Sequence, residues 1–476
     1  MIKVLFAVSE SAPFLKSGGL GEVIYSLSRE MKKLGMDARV ILPKYSDISF
    51  DYQRKMEKLT AFTVNVGWRK QYCGIEYLEI EDVPFYFVDN EYYFKRTGMY
   101  GYYDEAERFA FFTRAVIESM ENIDFIPDVI HCHDWHTGMI APTLKIDYPQ
   151  YDKIKTIFTI HNLYYQGVFP YEILGDLLGF KADQINIAGL EFYGGISFMK
   201  GGLNFSDIIT TVSHNYAEEI KTPLYGERLD DILRSKSRIL YGIENGIDYN
   251  IYNPATDSFI SQKYDEETLD LKVQNKIRLQ QELGLTKGEE IPMIGMVTRL
   301  VKQKGLDLVL SKIEDIKNKG VQVVILGTGD KHYEEMLYEL SSKYPKDISV
   351  KILFNDRVAH IIYAASDIFL MPSLFEPCGL GQMIASKYGA IPLVRETGGL
   401  KDTVIPYNEY TGDGTGFSFQ NYCSDELITT INYALGFYSD KDKWKRIMYS
   451  AMKLDNSWQK SSNEYKKLYE KIMGEK

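Results

Sequence analysis

The sequence of 476 residues contains few cysteines and no long apolar run. Its four cysteines lie far apart and form no Cys-x-x-Cys pair, which argues against a disulfide framework and against a thiolate zinc site. No stretch approaches the roughly 18 to 20 consecutive apolar residues that cross a bilayer. The first residues lack the basic leader and cleavage site of a secretory signal. We therefore expect a soluble protein of the reducing cytoplasm.

Positive charge is also in deficit. Lys and Arg total 55 against 66 Asp and Glu, which gives a formal net charge of −11. A surface of that sign repels nucleic acid backbones and anionic membrane faces, so we expect neither as a partner. A few cations can still dominate one cleft, and a small phosphorylated ligand remains compatible with the composition. Aromatic residues are in excess, with 36 Tyr and 24 Phe, and their rings serve either packing or stacking on sugars.

Short apolar runs rich in β-branched residues alternate with amphipathic stretches in both halves of the chain. This alternation predicts parallel strands joined by crossover helices. The predicted strands are Lys3–Val8, Ala38–Leu42, Asp128–His131, Lys155–Ile160, Ile208–Val212, Met293–Val297, Val321–Leu326, Ser349–Leu353, Ile368–Met371 and Ile391–Val394. A single core stops growing well below this length, so the chain should divide. We predict an α/β fold of two doubly wound, Rossmann-like domains that face an interdomain cleft.

Turn-forming residues between positions 242 and 254 indicate where the two domains meet. We predict an N-terminal domain over 1–246, a C-terminal domain over 247–456 and a final helical segment over 457–476. In that last segment Trp458, Tyr465, Leu468 and Ile472 form an apolar stripe at helical spacing, which indicates that the segment docks on the rest of the protein.

The first candidate for ligand binding is a glycine-rich loop. Lys16-Ser17-Gly18-Gly19-Leu20-Gly21-Glu22 follows the first strand and opens a predicted helix over 20–34. Glycines let the backbone approach a ligand, and the free amides of a helix start favour a phosphate, to which Lys16 adds a full charge. A glycine-rich turn with a solvated lysine explains the same pattern, and both interpretations stay open.

Two loops of the second half also follow predicted strands. Leu326-Gly327-Thr328-Gly329-Asp330 has His332 where a dinucleotide-binding motif has its third glycine, so we interpret it as a tight turn rather than a nicotinamide site. Arg299 and Lys304 lie five residues apart in the loop before a helix that begins near Gly305. A bidentate Arg and a point-charge Lys can converge on adjoining phosphates, which favours anion binding over a merely solvated basic loop.

A histidine cluster ends the third predicted strand of the first half. His131-Cys132-His133-Asp134-Trp135-His136 invites a zinc hypothesis, but its spacing matches no known zinc site. His131 and His133 should share one side of the strand, because successive strand residues point to opposite faces. Asp134 and His161, each just past a strand, are better suited to bind sugar hydroxyls at one rim of the sheet, and a buried histidine network is the alternative for the other rings.

The last candidate is Glu376-Pro377-Cys378-Gly379-Leu380-Gly381-Gln382, between a predicted strand and a predicted helix that runs through about Tyr388. A carboxylate beside a glycine-punctuated helix start can hold sugar hydroxyls and a phosphate together. Cys378 is a poor nucleophile because no histidine lies near it in sequence to activate it, and we interpret it as a packing residue.

Together these segments resemble bacterial glycogen synthases and plant starch synthases, which are retaining glycosyltransferases of the GT-B fold. The resemblance covers nearly the whole chain. The matching motifs are Lys16-Ser17-Gly18-Gly19-Leu20, His133-Asp134-Trp135-His136, His161-Asn162-Leu163, Lys200-Gly201-Gly202, Asn245-Gly246-Ile247-Asp248, Arg299 to Gly305, and Glu376-Pro377-Cys378-Gly379-Leu380.

The resemblance implies transfer of glucose from ADP-glucose to the non-reducing end of an α-1,4-glucan such as glycogen, with retention and with no cofactor or metal. It implies an acceptor-side N-terminal domain, a C-terminal domain that binds the nucleotide sugar, and a final helix that returns to the first domain. Lys16, Arg299 and Lys304 resemble the cations around the donor diphosphate, and Glu376 resembles the carboxylate that holds the donor glucose. The implied backbone contacts to the donor come from Gly18, Gly19, Gly379, Leu380 and Gly381.

Asp134 and His161 resemble the remaining polar contacts at the reacting sugar. Two positions depart from the family pattern. Many related transferases carry a second Glu eight residues after the first, where this chain has Ile384, so the ribose must be held differently. Bacterial synthases often carry Thr where this chain has Gly381, and the Gly381 amide could replace that hydroxyl.

Three alternatives remain beside the synthase. A sucrose synthase-like or other UDP-glucose-dependent enzyme would use the same fold, although the resemblance implies that Lys16 in the glycine loop favours ADP-glucose. A phosphorylase would need a lysine-bound pyridoxal phosphate, which no segment indicates. A catalytically silent glucan-binding protein would need only the aromatic excess, and the intact set of charged residues argues against it. The oligomeric state is left open by the sequence.

Overall fold

The computed structural model describes residues 1–180 and 189–474. The chain divides into two compact units, one formed by Met1–Asn245 with Trp458–Lys476 and the other by Gly246–Ser457. This division falls inside the turn-rich segment 242–254, and the functional roles assigned to the two parts remain predictions. The last two residues of the predicted segment 457–476 lie outside the described residues. None of the described helices is long and apolar enough to span a membrane.

The first unit is built on a mixed sheet. The strands of this unit are β1 (Lys3–Ala7), β2 (Asp37–Pro43), β3 (Glu57–Val66), β4 (Arg69–Ile80), β5 (Val83–Asp89), β6 (Val129–His133), β7 (Lys155–Ile160), β8 (Val168–Pro170), β9 (Glu191–Phe192), β10 (Gly195–Ser197), β11 (Ile208–Thr211) and β12 (Leu240–Gly242). Of these, β8, β9 and β10 form a small antiparallel sheet of their own. The large sheet has the order β12-β11-β7-β6-β1-β2-β5-β4-β3, parallel as far as β5 and antiparallel from β5 to β3.

The helices of this unit that precede the second unit in sequence are α1 (Gly19–Lys33), α2 (Phe50–Gln53), α3 (Glu91–Phe94), α4 (Glu105–Asn122), α5 (Ile140–Asp147), α6 (Ile173–Asp176), α7 (Phe198–Phe205), α8 (His214–Glu219) and α9 (Asp230–Ser235). Single 3₁₀ turns occur at Trp135–Thr137 and Pro149–Tyr151. The central strands are buried along almost their whole length, which is why they appear in the sequence as unbroken apolar runs.

The antiparallel part of the sheet was not predicted. Along most of β3 and at the start of β4, exposed residues alternate with partly or fully buried ones, since one face of this extension meets solvent. The continuous apolar runs that identify buried parallel strands are therefore missing there. The strand β6 also runs two residues beyond the predicted end and includes His133.

The second unit has a six-stranded parallel sheet. Its strands are β13 (Met293–Val297), β14 (Gln322–Leu326), β15 (Ile348–Lys351), β16 (Ile368–Met371), β17 (Ile391–Arg395) and β18 (Phe417–Phe419), in the order β15-β14-β13-β16-β17-β18. Its helices are α10 (Val273–Leu283), α11 (Leu306–Asn318), α12 (Lys331–Lys343), α13 (Asp356–Ala365), α14 (Gly381–Lys387), α15 (Gly398–Thr403), α16 (Ser424–Tyr438) and α17 (Lys441–Lys453), with 3₁₀ turns at Leu269–Lys272 and Lys302–Lys304.

The last helix, α18 (Trp458–Ile472), joins the core of the first unit and packs against α1. Trp458, Tyr465 and Leu468 of the predicted stripe are buried there. Tyr469, which the stripe did not include, is buried as completely as Tyr465.

Strand order identifies one switch point in each sheet. From β1 the chain moves outward to β2, and it later returns to place β6 on the other side of β1. In the second sheet β13 has the same relation to β14 and β16. In open α/β sheets ligands bind beyond the carboxyl ends of the strands at such points. We therefore expect ligand-binding residues in the loops that follow β1, β6, β13 and β16.

Candidate active site

Glu10, which was not predicted as a site residue, binds the backbone of the glycine-rich loop after β1. This buried carboxylate accepts the hydroxyl of Ser17 at 2.6 Å, the amides of Ser17 and Gly21 at 3.2 Å, and the hydroxyl of Tyr100 at 3.0 Å. Burial raises the pKa of Glu10 although these hydrogen bonds act in the opposite direction. An acidic residue just past a buried parallel strand was the signal that could have identified it.

Glu10 changes the anion-binding prediction for this loop. The amides of Ser17 and Gly21 already donate to a carboxylate, so a phosphate at the start of α1 would bind the amides of Gly18 and Gly19. Both glycines are exposed, and Gly18 has open space where a Cβ would lie. Lys16, the loop's cation, is 2.7 Å from Glu22 of α1 and retains about a quarter of its side-chain exposure.

Asp134 and His161 are brought together as predicted. Asp134 follows β6, and its Oδ1 accepts the amide of His161 at 2.8 Å and that of Asn162 at 3.4 Å, so the carboxylate ties the turn after β7 to the end of β6. Asp134 adopts φ 56° and ψ 177°, a backbone conformation that is otherwise almost confined to glycine. Strain of this kind persists where the surrounding structure enforces it, commonly at active sites.

The pKa of Asp134 is raised to about 7, first because burial disfavours the carboxylate and also because Glu10 repels it, while the two backbone amides act in the opposite direction. The folded protein therefore binds a proton at this group between about pH 4 and pH 7 that the unfolded chain does not bind. Its contribution to the free energy of unfolding is present at low pH and is lost as the pH rises through 7.

We therefore expect Asp134→Asn to flatten the pH dependence of stability. Between pH 5 and pH 8 the free energy of unfolding of the parent should fall by more than that of the variant, because only the parent carries the titrating carboxyl. Urea unfolding of both proteins at the two pH values measures the difference. Asp152→Asn, at an exposed position of the same unit, is the control and should leave the parent's pH dependence unchanged. Parallel pH profiles for parent and Asp134→Asn would contradict the expectation.

The histidine cluster has its own partners. The rings of His131 and His133 lie on the same side of β6, with centroids 4.2 Å apart, as the strand geometry predicted. The two ring nitrogens of His131 are bonded to Tyr469 at 2.7 Å and to Thr159 at 2.6 Å. His131 thus matches the interpretation as a member of a buried hydrogen-bonded network.

In the second unit the loop after β13 is fixed by its neighbours. The amide of Leu300 donates to Thr328 and the amide of Asp330 donates to Leu300, both at 2.8 Å, so the Gly-x-Gly segment serves as the tight turn against which this loop packs. Gly305 ends the loop with φ 74°, and a Cβ on it would lie 2.1 Å from the carbonyl oxygen of Pro372. A side chain at position 305 would separate this loop from the one after β16.

That close approach places Lys304 against Glu376. The Lys304 Nζ lies 2.6 Å from Glu376 Oε2, and the hydroxyl of Ser373 donates to the same oxygen at 3.0 Å. Both charged side chains are largely buried, with 15% and 8% of their surface exposed. Gln303 joins the same two loops, since its side chain donates to the carbonyl of Phe375 at 3.2 Å and accepts from Arg299 at 3.3 Å. Arg299, Lys304 and Glu376 therefore belong to one cluster.

Arg395, at the end of β17, holds the loop that carries Glu376 and was also missed. It is buried, and its guanidinium donates to the carbonyl of Ser373 at 2.7 Å and to that of Leu374. Removing it would take this donor from the buried carbonyl of Ser373. A charged residue that closes an apolar strand next to the switch point was a usable signal, as it was for Glu10.

The start of α14 accounts for one departure from the family pattern. A Cβ at Gly381 would lie 3.0 Å from Phe369 and 3.3 Å from the sulfur of Met371, so the helix start packs tightly on β16 and leaves little room for a side chain. Gln382 donates to the carbonyls of Cys378 and Gly379 at 3.1 and 2.9 Å, which fixes the turn that precedes the helix. Ile384, where a second Glu was expected, is buried in α14.

Two Rossmann-like units with polar clusters at their switch points are the architecture of the GT-B fold, and two family models identify the chain as a glycosyltransferase of that fold. The sucrose-phosphate synthase of Thermosynechococcus elongatus shares this fold, with 14% identity, a TM-score of 0.65 and 100% of both chains covered. One family model, described as the starch synthase catalytic domain, matches residues 3–235, and another, described as glycosyl transferases group 1, matches residues 278–450.

Relatives that align over nearly the whole chain identify the family within this class. A glycogen synthase of Desulforamulus reducens is 55% identical over 475 residues, 99% of each chain. The catalytic domain of starch synthase IV from Arabidopsis thaliana, solved with ADP and acarbose bound, is 34% identical with a TM-score of 0.93 and 99% of each chain covered. The chain belongs to the glycogen and starch synthase family and is a glucosyltransferase.

Proposed function

We propose that this glucosyltransferase moves glucose from ADP-glucose to the non-reducing end of an α-1,4-glucan, with retention of the α configuration, in the cytoplasm. The observation that carries the proposal is the cluster of Lys304, Glu376 and Arg299 at the switch point of the second sheet. The solved starch synthase catalytic domain with bound ADP supports the adenine nucleotide. The described cysteines are free thiols, which fits a reducing compartment.

The cations have a defined task in this reaction. Cleavage of the bond between the anomeric carbon and the phosphate oxygen leaves a nucleoside diphosphate with added negative charge. Lys16, Arg299 and Lys304 would stabilise that charge together with the amides of Gly18, Gly19, Gly379, Leu380 and Gly381. Loss of one preorganised contact of this kind costs about 2.7–4 kcal/mol. Charge stabilisation by these groups requires no metal and no organic cofactor.

The carboxylates and His161 would act on the sugar. Glu376, oriented by Lys304 and Ser373, accepts hydrogen bonds from hydroxyl groups of the donor glucose. Asp134 and His161 are the other groups that we propose to contact the sugar. The acceptor hydroxyl attacks from the face that the diphosphate leaves, and a phosphate oxygen takes its proton. NMR of the first product tests this step, because a β-linkage would exclude retention.

The rates of ADP and UDP release show which nucleotide sugar is the donor. Purified enzyme with glycogen is expected to release ADP from ADP-glucose much faster than UDP from UDP-glucose, and only slowly when glycogen is omitted. A preference for UDP-glucose would keep the transferase and overturn the donor assignment. Release from neither donor would favour a catalytically silent glucan-binding protein.

A further inference from the structure

Three histidines form a continuous row of tilted rings, the histidine stack, and the proposed chemistry uses only one end of it. The ring of His131 lies against that of His133, and the His133 ring centroid is 5.2 Å from that of His161. The Nδ1 of His133 is 3.0 Å from the Nε2 of His161, so one proton lies between them. Only His161 is partly exposed, since His131 and His133 have no solvent-accessible surface.

The stack is anchored at its far end by the last helix. Tyr469 of α18 bonds His131 Nδ1 at 2.7 Å, and Thr159 of β7 bonds the other nitrogen at 2.6 Å. The ring of Phe6 packs against both His131 and His133, at 5.3 and 6.0 Å between centroids. Every member is therefore fixed by a neighbour, and α18 contributes the terminal hydrogen bond.

Burial lowers the pKa of His131 and of His161 to about 3 and lowers the pKa of His133 well below its usual value, so all three rings are neutral near pH 7. A neutral imidazole has one N–H donor and one acceptor nitrogen. The bond between His133 and His161 can then have two arrangements. In one, His133 Nδ1–H donates to His161, and in the other, His161 Nε2–H donates to His133.

The environment of the second His133 nitrogen selects between these arrangements. His133 Nε2 is buried and has no hydrogen-bonding partner among residues 1–180 and 189–474. If His161 were the donor, the proton of His133 would have to sit on that nitrogen as a buried N–H without an acceptor, and such orphaned N–H groups are rare in native structures. If His133 is the donor, the same nitrogen keeps only an unused lone pair.

We propose that His133 is a positioning residue that holds His161 in the tautomer protonated at Nδ1, with Tyr469 fixing the stack through His131. His161 then has a single donor, its Nδ1–H, to offer to a sugar oxygen, because its Nε2 lone pair is occupied by His133. The effect on turnover rests on the proposed contact of His161 with the sugar, whereas the assignment of the His161 tautomer does not. An experiment can therefore refute the tautomer or the sugar contact independently of the other.

Nitrogen NMR of the full-length protein labelled with ¹⁵N-histidine reads the tautomer directly. The chain has seven histidines, and the spectra of His133→Asn and His161→Gln assign the two signals of interest. We expect His161 to be protonated at Nδ1 and unprotonated at Nε2 at pH 7.5 in the parent. A proton on His161 Nε2 would overturn the proposal, and this result needs no enzymatic activity.

Variants of His133 test the effect on turnover. His133→Leu removes the donor, whereas His133→Asn can place an amide donor near the position of Nδ1. We expect kcat to fall about twofold to tenfold in His133→Leu, the range that one neutral hydrogen bond supports, with KM for the donor little changed and with recovery in His133→Asn. Equal losses in both variants would overturn the positioning role. An unchanged kcat with the Nδ1 tautomer confirmed would refute only the sugar contact of His161.

Tyr469→Phe tests the anchor, and Tyr465→Phe is its matched control. Both tyrosines are buried on α18 and both rings pack near His131, at 5.8 and 5.6 Å, but the nitrogens of His131 are bonded to Tyr469 and Thr159. We expect Tyr469→Phe to lower kcat and to shift the ¹⁵N signals of His161, because the ring positions loosen, and we expect Tyr465→Phe to do neither. If Tyr469→Phe leaves the His161 signals as in the parent, Tyr469 has no part in positioning. Each of these substitutions removes a single oxygen, so they test the role of Tyr469 even if His133→Leu does not fold.

Discussion

Glu376→Gln is expected to lower kcat/KM of the proposed glucose transfer by about 10²- to 10³-fold. Glutamine has nearly the same shape as glutamate but no charge. It cannot hold the Lys304 ammonium as an ion pair at 2.6 Å, and it presents one acceptor oxygen to the sugar where the carboxylate presents two. Glycogen-dependent release of ADP from ADP-glucose measures the loss.

The chain offers a matched control in the same unit. Glu314 of α11 forms an ion pair with Lys343 at 2.7 Å, close to the length of the Lys304–Glu376 pair, but more than half of each side chain is exposed. Glu314→Gln should leave turnover within about twofold of the parent, because exposed pairs contribute less than about 1 kcal/mol. Thermal unfolding should show that both variants are folded. Near-normal turnover in Glu376→Gln would remove this carboxylate from the proposed mechanism.

The buried parallel strands were predictable from the sequence, because a local pattern of residues identifies them. Strands such as Met293–Val297 and Ile368–Met371 are buried on both faces, so they appear as unbroken apolar runs and were placed to the residue. Because each run ends at the edge of the sheet where ligands bind, the polar residues that follow it were also identified. Lys304 with Glu376 and Asp134 with His161 are in contact for this reason.

The missed residues act on partners that are distant in sequence. Arg395 lies 22 residues after Ser373, whose carbonyl it binds, and Tyr469 lies 338 residues after His131. No local periodicity encodes such pairs, since they arise only once β17 and α18 have packed. The half-exposed strands β3 and β4 were not predicted either, because one face of each strand meets solvent and the polar residues on that face interrupt the apolar run.

Glu10 and Arg395 point to a common construction of the two clusters. In each unit one buried charged residue near the end of a sheet strand binds the backbone of the neighbouring polar loop, an anion binding amides in the first unit and a cation binding carbonyls in the second. A buried charge without partners is costly, so each loop conformation is enforced by the need to satisfy that charge. The residues proposed to act on substrate are thus supported by residues that need not touch it.

Lys304→Met is expected to lower kcat/KM by about 10²- to 10³-fold, because it removes a cation proposed to stabilise the departing diphosphate. It also leaves the Glu376 carboxylate, 8% exposed, without its ionic partner. We therefore expect a loss of stability as well, since breaking a largely buried pair from one side is unfavourable. Lys304→Arg should restore activity only in part, because a planar guanidinium does not occupy the position of a compact ammonium.

A double-mutant cycle separates the two roles of this lysine. If Lys304 and Glu376 act as one group, Lys304→Met with Glu376→Gln should lose much less activity than the product of the single losses, and should be more stable than the sum of the single effects predicts by about 0.5–3 kcal/mol. The exposed pair Lys343 and Glu314, changed in the same way, should show additive and small effects in both measurements. Additive losses at Lys304 and Glu376 would mean that the 2.6 Å contact does not couple their functions. Lysine would then act on the diphosphate and glutamate on the sugar as independent groups.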